Sequence, residues 1–199
     1  MRIPRRRPRP ALLLTGLLAL ALAPVGAIAA ADDYAYVGSK KCKMCHFKEW
    51  QSWSETKMAK SFDVLKPGAL ADRKKAAGLD PAKDYTKDPA CLTCHTVGYG
   101  KPGGFVDVAT TPDHIGVGCE MCHGPGGTYT RKQHMSLENK EYKKDALVAV
   151  GLVGSITGET CTAVCHNTKS PFVGPDYVFD FEAKRDQGIH ARIPLKYQH

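Results

Sequence analysis

The sequence predicts a mainly α-helical single domain with long irregular loops, built around something other than its own apolar side chains. Leu, Ile, Val and Phe make up 30 of the 168 residues from Asp32 onward, about 18%, which is below the roughly 20% at which chains tend toward disorder. The apolar residues show almost no strict alternation, so strands are not indicated. Eight cysteines fall in four close pairs, and a chain with so small a core normally needs disulfides, metals or cofactors.

The first 31 residues have the organisation of a signal peptide. Residues 1–10 contain five arginines and no acidic residue, and 11–23 are apolar. Ala27-Ile28-Ala29 and Ala29-Ala30-Ala31 have the small residues at first and third position that are typical of a cleavage site. The apolar run of about 13 residues is shorter than the roughly 20 needed to span a bilayer. We therefore expect residues 1–31 to be removed and 32–199 to form the mature domain, in the periplasm or outside the cell. An uncleaved membrane anchor is the alternative.

The net charge excludes one class of partner. The formal charge of +8 falls to +3 when the five arginines of the leader are removed. So small a charge on the mature chain gives no reason to expect nucleic-acid binding, although the sequence pI is about 9.1.

Four segments outside the cysteine pairs are predicted to be helical. Pro67 and Gly68 end the first of them, and Gly78 ends the second. The four segments are Phe47–Lys66, Ala69–Ala77, Lys140–Val150 and Phe179–Gln187.

Each cysteine pair is followed directly by a histidine. In three pairs two residues separate the thiols, which is the attachment signature for c-type haem. The thiols add to the two vinyl groups of a haem, and the next histidine then lies beneath the ring and binds its iron. The three motifs are Cys42-Lys43-Met44-Cys45-His46, Cys91-Leu92-Thr93-Cys94-His95 and Cys119-Glu120-Met121-Cys122-His123.

The fourth pair, Cys161 and Cys165, has three residues between its thiols and is followed by His166. A bulge or a looser turn would still bring both thiols to the vinyl groups, so we expect a haem here too, with a Cys161–Cys165 disulfide as the alternative. Disulfides, zinc or a thiol redox pair are the general alternatives, but none requires a histidine after every pair. The sequence therefore predicts a single domain built round a cluster of four covalent haem c groups.

Four irons have eight axial positions, and the chain has eight histidines. The histidines that follow the cysteine pairs are the expected proximal ligands. The other four are candidates for the opposite faces, although a surface histidine without such a role is the usual alternative. These four are His114, His134, His190 and His199.

The chain resembles the cytochrome c-554 family of tetrahaem electron carriers over most of residues 36–199. The stretches that carry the resemblance are Gln51–Trp53, Leu79–Thr86, Gly98–Phe105 and Gly116–Gly126. The resemblance implies a mostly helical fold with haems in closely stacked and near-perpendicular pairs. It also implies three irons with two histidine ligands and an open face at the second-motif haem. By position, it implies His134 as the distal ligand of the first haem and His190 as that of the third.

Two positions depart from the family pattern. Family members carry a distal histidine twelve residues after the first proximal one, where this chain has Met58. Methionine also binds haem iron and raises its potential, so we expect Met58 to ligate the fourth haem, with packing against a porphyrin as the alternative. His114 stands where the family has no histidine. It either closes the second haem or lies on an exposed loop.

The expected function is electron transfer between redox partner proteins, because irons with both axial positions filled exchange electrons without binding a substrate. Catalysis is less favoured: an open second haem would allow the reduction of a small nitrogen oxide. A third interpretation is a subunit that self-associates into a conducting filament outside the cell, with the terminal His199 reaching a neighbour. A frayed tail is the alternative for that residue.

Overall fold

The structure is a computed structural model, and it describes residues 34–195. The predicted signal peptide and His199 lie outside these residues. Short helices and 3₁₀ turns are joined by long loops, and the described range contains no strand, only an isolated antiparallel bridge between Thr96 and Ile115. The prediction of a mainly α fold with irregular loops is confirmed.

The helices of residues 34–195 are all short. The longest has eight residues, well below the length at which an isolated helix is stable in water, so each depends on what it packs against. They are α1 (Ser39–Lys43), α2 (Phe47–Ser54), α3 (Ala71–Ala76), α4 (Pro89–His95), α5 (Cys119–His123), α6 (Lys144–Val148), α7 (Gly158–Thr162) and α8 (Phe181–Lys184). The 3₁₀ turns are Ser61–Leu65 and Pro112–His114.

The helix predicted over Phe47–Lys66 is wrong in length, because α2 ends at Ser54. Past this point the carbonyl of Met58 accepts a hydrogen bond from the N–H of Val117 at 3.0 Å. The chain is thereby held against the approach to the third motif instead of continuing as a helix. The other three predicted helices form, but each is shorter than its predicted range.

Local sequence explains where several helices begin and end. The Asp88 side chain accepts from the N–H of Ala90 and Pro89 occupies the first turn, which starts α4. Thr157 and Thr160 form a reciprocal capping box at the start of α7. Gly78, two residues beyond α3, has a φ of 72°, a conformation that glycine adopts without strain.

The apolar core is small and lies to one side of the domain. α4 packs against the Ser61–Leu65 turn there, whereas α1 packs against α2 and α5, and α7 against α8, around the other motifs. Among the described residues, no helix is long and apolar enough to cross a membrane. The core residues are Phe62, Leu65, Tyr85, Leu92 and Phe105.

Candidate haem-binding site

The backbone of the fourth motif absorbs its extra residue in a wider turn. In the first motif the N–H of His46 donates to the carbonyl of Cys42 at 2.9 Å, four residues back. In the fourth motif the N–H of His166 donates to the carbonyl of Cys161 at 3.0 Å, five residues back. A five-residue bond is the pattern of a π-turn. In both motifs, therefore, a backbone hydrogen bond joins the histidine to the first cysteine.

The motifs approach one another through their thiols. All eight cysteines lie within residues 34–195 and none forms a disulfide. Hydrogen bonding with Cys42 lowers the pKa of Cys119 to about 7 and raises the pKa of Cys42. Cys165 stands in the same relation to Cys94, whose pKa falls to about 7 while the pKa of Cys165 rises. The first motif therefore adjoins the third, and the second adjoins the fourth.

These two pairs of motifs also lie close together, because Cys122 and Cys161 line one cavity. Burial raises the pKa of Cys122 to about 11, and the nearby Cys161 thiol adds to that rise. The third motif thus adjoins the fourth. The attachment points follow the order first, third, fourth, second.

A cavity of about 660 Å³ opens beside the first motif, within the usual size range of ligand pockets. Cys42, Cys45 and His46 line it, together with residues of α2. The rest of the wall comes from Cys119 and His123 of the third motif, from the loop at 129–138 and from the chain at 190–195.

A second cavity, of about 480 Å³, lies beside the fourth motif. Cys161, His166 and Met58 are in its wall. His123 and His190 line both cavities. The third motif therefore stands between the sites of the first and the fourth.

The rings of His123 and His190 have their centroids 6.1 Å apart and their planes at 25° to each other. Imidazole–metal bonds of about 2 Å place the centroids of two ligands on opposite sides of one metal about 6 Å apart. At this separation His123 and His190 would hold a single haem iron between them, with one cavity on either side.

Hydrogen bonds fix the tautomer of two histidines. Nδ1 of His95 lies 2.7 Å from the carbonyl oxygen of Ser61, and Nδ1 of His190 lies 2.8 Å from that of Ala191. A ring nitrogen that faces a carbonyl oxygen carries the proton and donates it, which leaves the Nε2 lone pair free for a metal.

Burial also favours the neutral form of three of the expected proximal ligands. It lowers the pKa of His95, His123 and His166, and the charges of His190 and His46 lower that of His123 further. Neutral imidazole is the form that binds a metal. These rings are therefore held in a state suited to ligation.

Two other predicted ligands have different surroundings. His134 is half-buried in the loop whose next residues, Met135 and Ser136, line the larger cavity. His114 is only 7% exposed and its ring lies against Gly38 at the start of α1, so an exposed loop position is wrong for it. Both of its ring nitrogens are enclosed without a protein partner, and it lines neither cavity. Its role at the second haem stays a prediction.

The sequence analysis missed the side chains that hold these segments together. The indole N–H of Trp53 donates to the carbonyl of Val117 at 2.9 Å. The Ser52 hydroxyl accepts from the N–H of Ala191 at 2.7 Å and so fixes the segment that carries His190. These partners are 64 and 139 residues apart in sequence, so no local pattern predicts them.

Four cysteine–histidine motifs thus converge in a helical, loop-rich domain, and opposed histidine rings stand between the cavities. This combination defines a multihaem c-type cytochrome.

Comparisons with known proteins specify the family. A family model described as cytochrome c554 and c-prime matches residues 41–124. The cytochrome c-554 of Nitrosomonas europaea is 43% identical over 188 residues, which cover 83% of this chain and 79% of that protein. A solved structure of cytochrome c554 from Nitrosomonas europaea in its reduced state superposes with a TM-score of 0.70 at 32% identity, over 82% of this chain and 88% of that one.

The chain belongs to the cytochrome c554 family, as the resemblance in its motifs predicted. Its cofactors are four covalently bound haem c groups, and it takes part in electron transfer. Haem supplies an iron that gains or loses one electron, while the polypeptide binds the haem, orients it and sets its surroundings.

Proposed function

We propose that this chain is an exported carrier that passes electrons between redox partner proteins, with one haem at each cysteine–histidine motif. The main support is that the motifs adjoin one another. Cys42 and Cys119 line one cavity, Cys122 and Cys161 line the other, and Sγ of Cys165 lies 3.9 Å from the carbonyl oxygen of Cys94. Haems attached at adjoining points share one protein interior, so electrons can move through the domain without a bound substrate.

The cysteine pairs hold the haems, and the histidine after each pair is the proximal ligand. The free Nε2 of His95 and the lowered pKa values of the half-buried His123 and His166 support this assignment. His46 lines the larger cavity beside Cys42 and Cys45, as a proximal ligand of the first haem should.

Two distal ligands come from the C-terminal half of the chain. His190 is assigned to the third iron, which the 6.1 Å separation from His123 supports. His134 is assigned to the first iron, because the residues that follow it line the cavity of the first motif.

Met58 is the distal ligand that we propose for the fourth iron. It shares the smaller cavity with His166 and Cys161. The other histidines in that wall are His123 and His190, and they face each other. Met58 therefore remains as the ligand available to the fourth iron, on the side opposite His166.

The leader sequence supports a location for the domain, and the lysines of α1 support a class of partner. Residues 1–31 have the composition of a signal peptide, so we place the mature domain in the periplasm or outside the cell. Lys40 and Lys41 are exposed on α1 next to the first motif, and Lys41 borders the larger cavity. These positive charges favour an acidic redox partner protein.

Electron storage without turnover tests this function. The purified holoprotein should take up four electrons per chain reversibly in an optical redox titration. In the presence of a reductant it should leave nitric oxide, nitrite and hydroxylamine unconsumed at steady state. Sustained consumption of one of these compounds would contradict a carrier role and indicate a reductase.

A further inference from the structure

A buried carboxylate lies inside the third motif. Glu120, between the two cysteines of α5, is 2% exposed. Its Oε1 accepts from the N–H of Gly126 at 2.6 Å and of Val37 at 3.0 Å, and its Oε2 accepts from the N–H of Gly38 at 2.8 Å. The side chain thus joins the third motif to the two residues that precede α1.

This set of partners fits the ionised form of Glu120. Both oxygens face N–H donors, whereas a protonated carboxyl would have to turn an O–H toward an acceptor. Hydrogen bonds from N–H groups to a carboxylate are charge-assisted and about twice as strong as neutral ones. The structure therefore holds a negative charge in the interior, compensated by backbone dipoles.

The field of this charge reaches the attachment points of two haems. Gly38, whose N–H donates to Glu120, has its carbonyl oxygen 4.0 Å from Sγ of Cys42. The pKa of the free Cys42 thiol is raised by its hydrogen bond to Cys119, by burial and also by the Glu120 carboxylate. Burial raises the pKa of Tyr129, and the charges of Cys42 and Glu120 raise it further. Tyr129 lines the larger cavity beside the first motif. Glu120 thus acts on the surroundings of the first and third motifs together.

We propose that Glu120 sets the reduction potentials of the first and third haems, holding both low by stabilising their oxidised irons. An oxidised iron carries one more positive charge than a reduced one, so a fixed negative charge nearby favours oxidation, and the effect is largest where water is excluded. Glu120 acts through space and ligates no iron. This inference rests on the proposed haem sites at the first and third motifs.

The test is an optical redox titration of the holoprotein with Glu120→Gln, which removes the charge and nearly keeps the shape. The reduction equilibrium of the first and third haems should shift by about tenfold toward the reduced state, about 59 mV for a one-electron couple. The second and fourth haems serve as internal references and should shift less. Glu138→Gln is the matched control. Its carboxylate borders the larger cavity beside the first motif but is exposed and paired with Lys132, so solvent screens its charge.

A purely structural role is distinguished by Glu120→Asp, which keeps the charge on a shorter side chain. Low potentials in Glu120→Asp with raised ones in Glu120→Gln support the proposal. Equal rises in both variants, or no rise in Glu120→Gln, would overturn it. Should Glu120→Gln lose haem, the Asp variant decides alone: a tenfold shift with the charge retained contradicts the proposal. Pyridine haemochrome quantitation of each variant shows separately whether the proposed haem sites exist.

Discussion

The backbone N–H of His166 donates to the carbonyl of Cys161 over 3.0 Å, one residue further along than the matching bond from His46 to Cys42. The additional residue of the fourth motif is therefore taken up by the turn and not by a change in how the histidine follows the first cysteine. This relationship removes the main objection to a fourth haem. The same bond makes a Cys161–Cys165 disulfide unnecessary for the local fold.

Replacing Met58 with histidine is expected to lower the potential of the fourth haem, because a methionine ligand raises the potential relative to two histidines. A tenfold change in the reduction equilibrium, about 59 mV, would be clear in an optical redox titration. The near-infrared band of a His/Met pair should also disappear. Val178→His, at a side chain that is 84% exposed and lines neither cavity, is the control. If the native protein and Met58→His give the same spectra and potentials, Met58 is not a ligand.

Removing the imidazole of His190 is expected to open the third iron. The His190→Ala protein should gain one high-spin haem in its oxidised spectrum, and the reduced form should bind carbon monoxide at one new site. Gln187→Ala, in the wall of the smaller cavity, should keep the native spectrum. An unchanged spectrum in His190→Ala would show that His190 does not ligate the third iron opposite His123.

Removing the imidazole of His114 is not expected to open the second iron. A ligating nitrogen must face the iron, whereas the His114 ring lies against Gly38 and lines neither cavity. We therefore expect His114→Asn to leave the number of high-spin haems unchanged, as measured by electron paramagnetic resonance of the oxidised protein. The appearance of an additional high-spin haem would instead establish the closing role that the sequence suggested.

Loss of the Trp53 hydrogen bond is expected to destabilise the domain. Trp53→Phe keeps most of the buried ring but leaves the Val117 carbonyl without its donor, at a cost of about 1 kcal/mol in the free energy of unfolding. Guanidinium unfolding followed by the Soret band measures this. Trp50→Phe is the matched control. It makes the same substitution in α2, at a ring that contacts the Lys43 ammonium, 3.8 Å from the ring centroid, and a phenyl ring can keep that contact. Equal losses in both variants would mean that the Trp53 bond carries no special weight.

The parts of this protein that follow from local chemistry could be predicted from the sequence. The size of a porphyrin fixes the spacing of each thiol pair and its histidine, so the motifs can be identified from the sequence alone. The same holds for the end of α3 near Gly78, where glycine adopts a left-handed conformation at no cost.

The parts decided by distant partners could not be predicted. α2 stops at Ser54 because the chain beyond it bonds to Val117, and the ring of His114 is buried by Gly38, 76 residues earlier in the chain. Glu120 reads as an ordinary charged residue of a cysteine motif until the structure brings Val37 and Gly38 to it. Such contacts have no local signature.

Haem stoichiometry tests the central claim most directly. The mass of the mature holoprotein, together with pyridine haemochrome quantitation, should give four haems per chain, and the double variant Cys161→Ala/Cys165→Ala should give three. Four haems in that variant, or fewer than four in the native protein matured in a competent host, would contradict a cofactor at every cysteine–histidine motif.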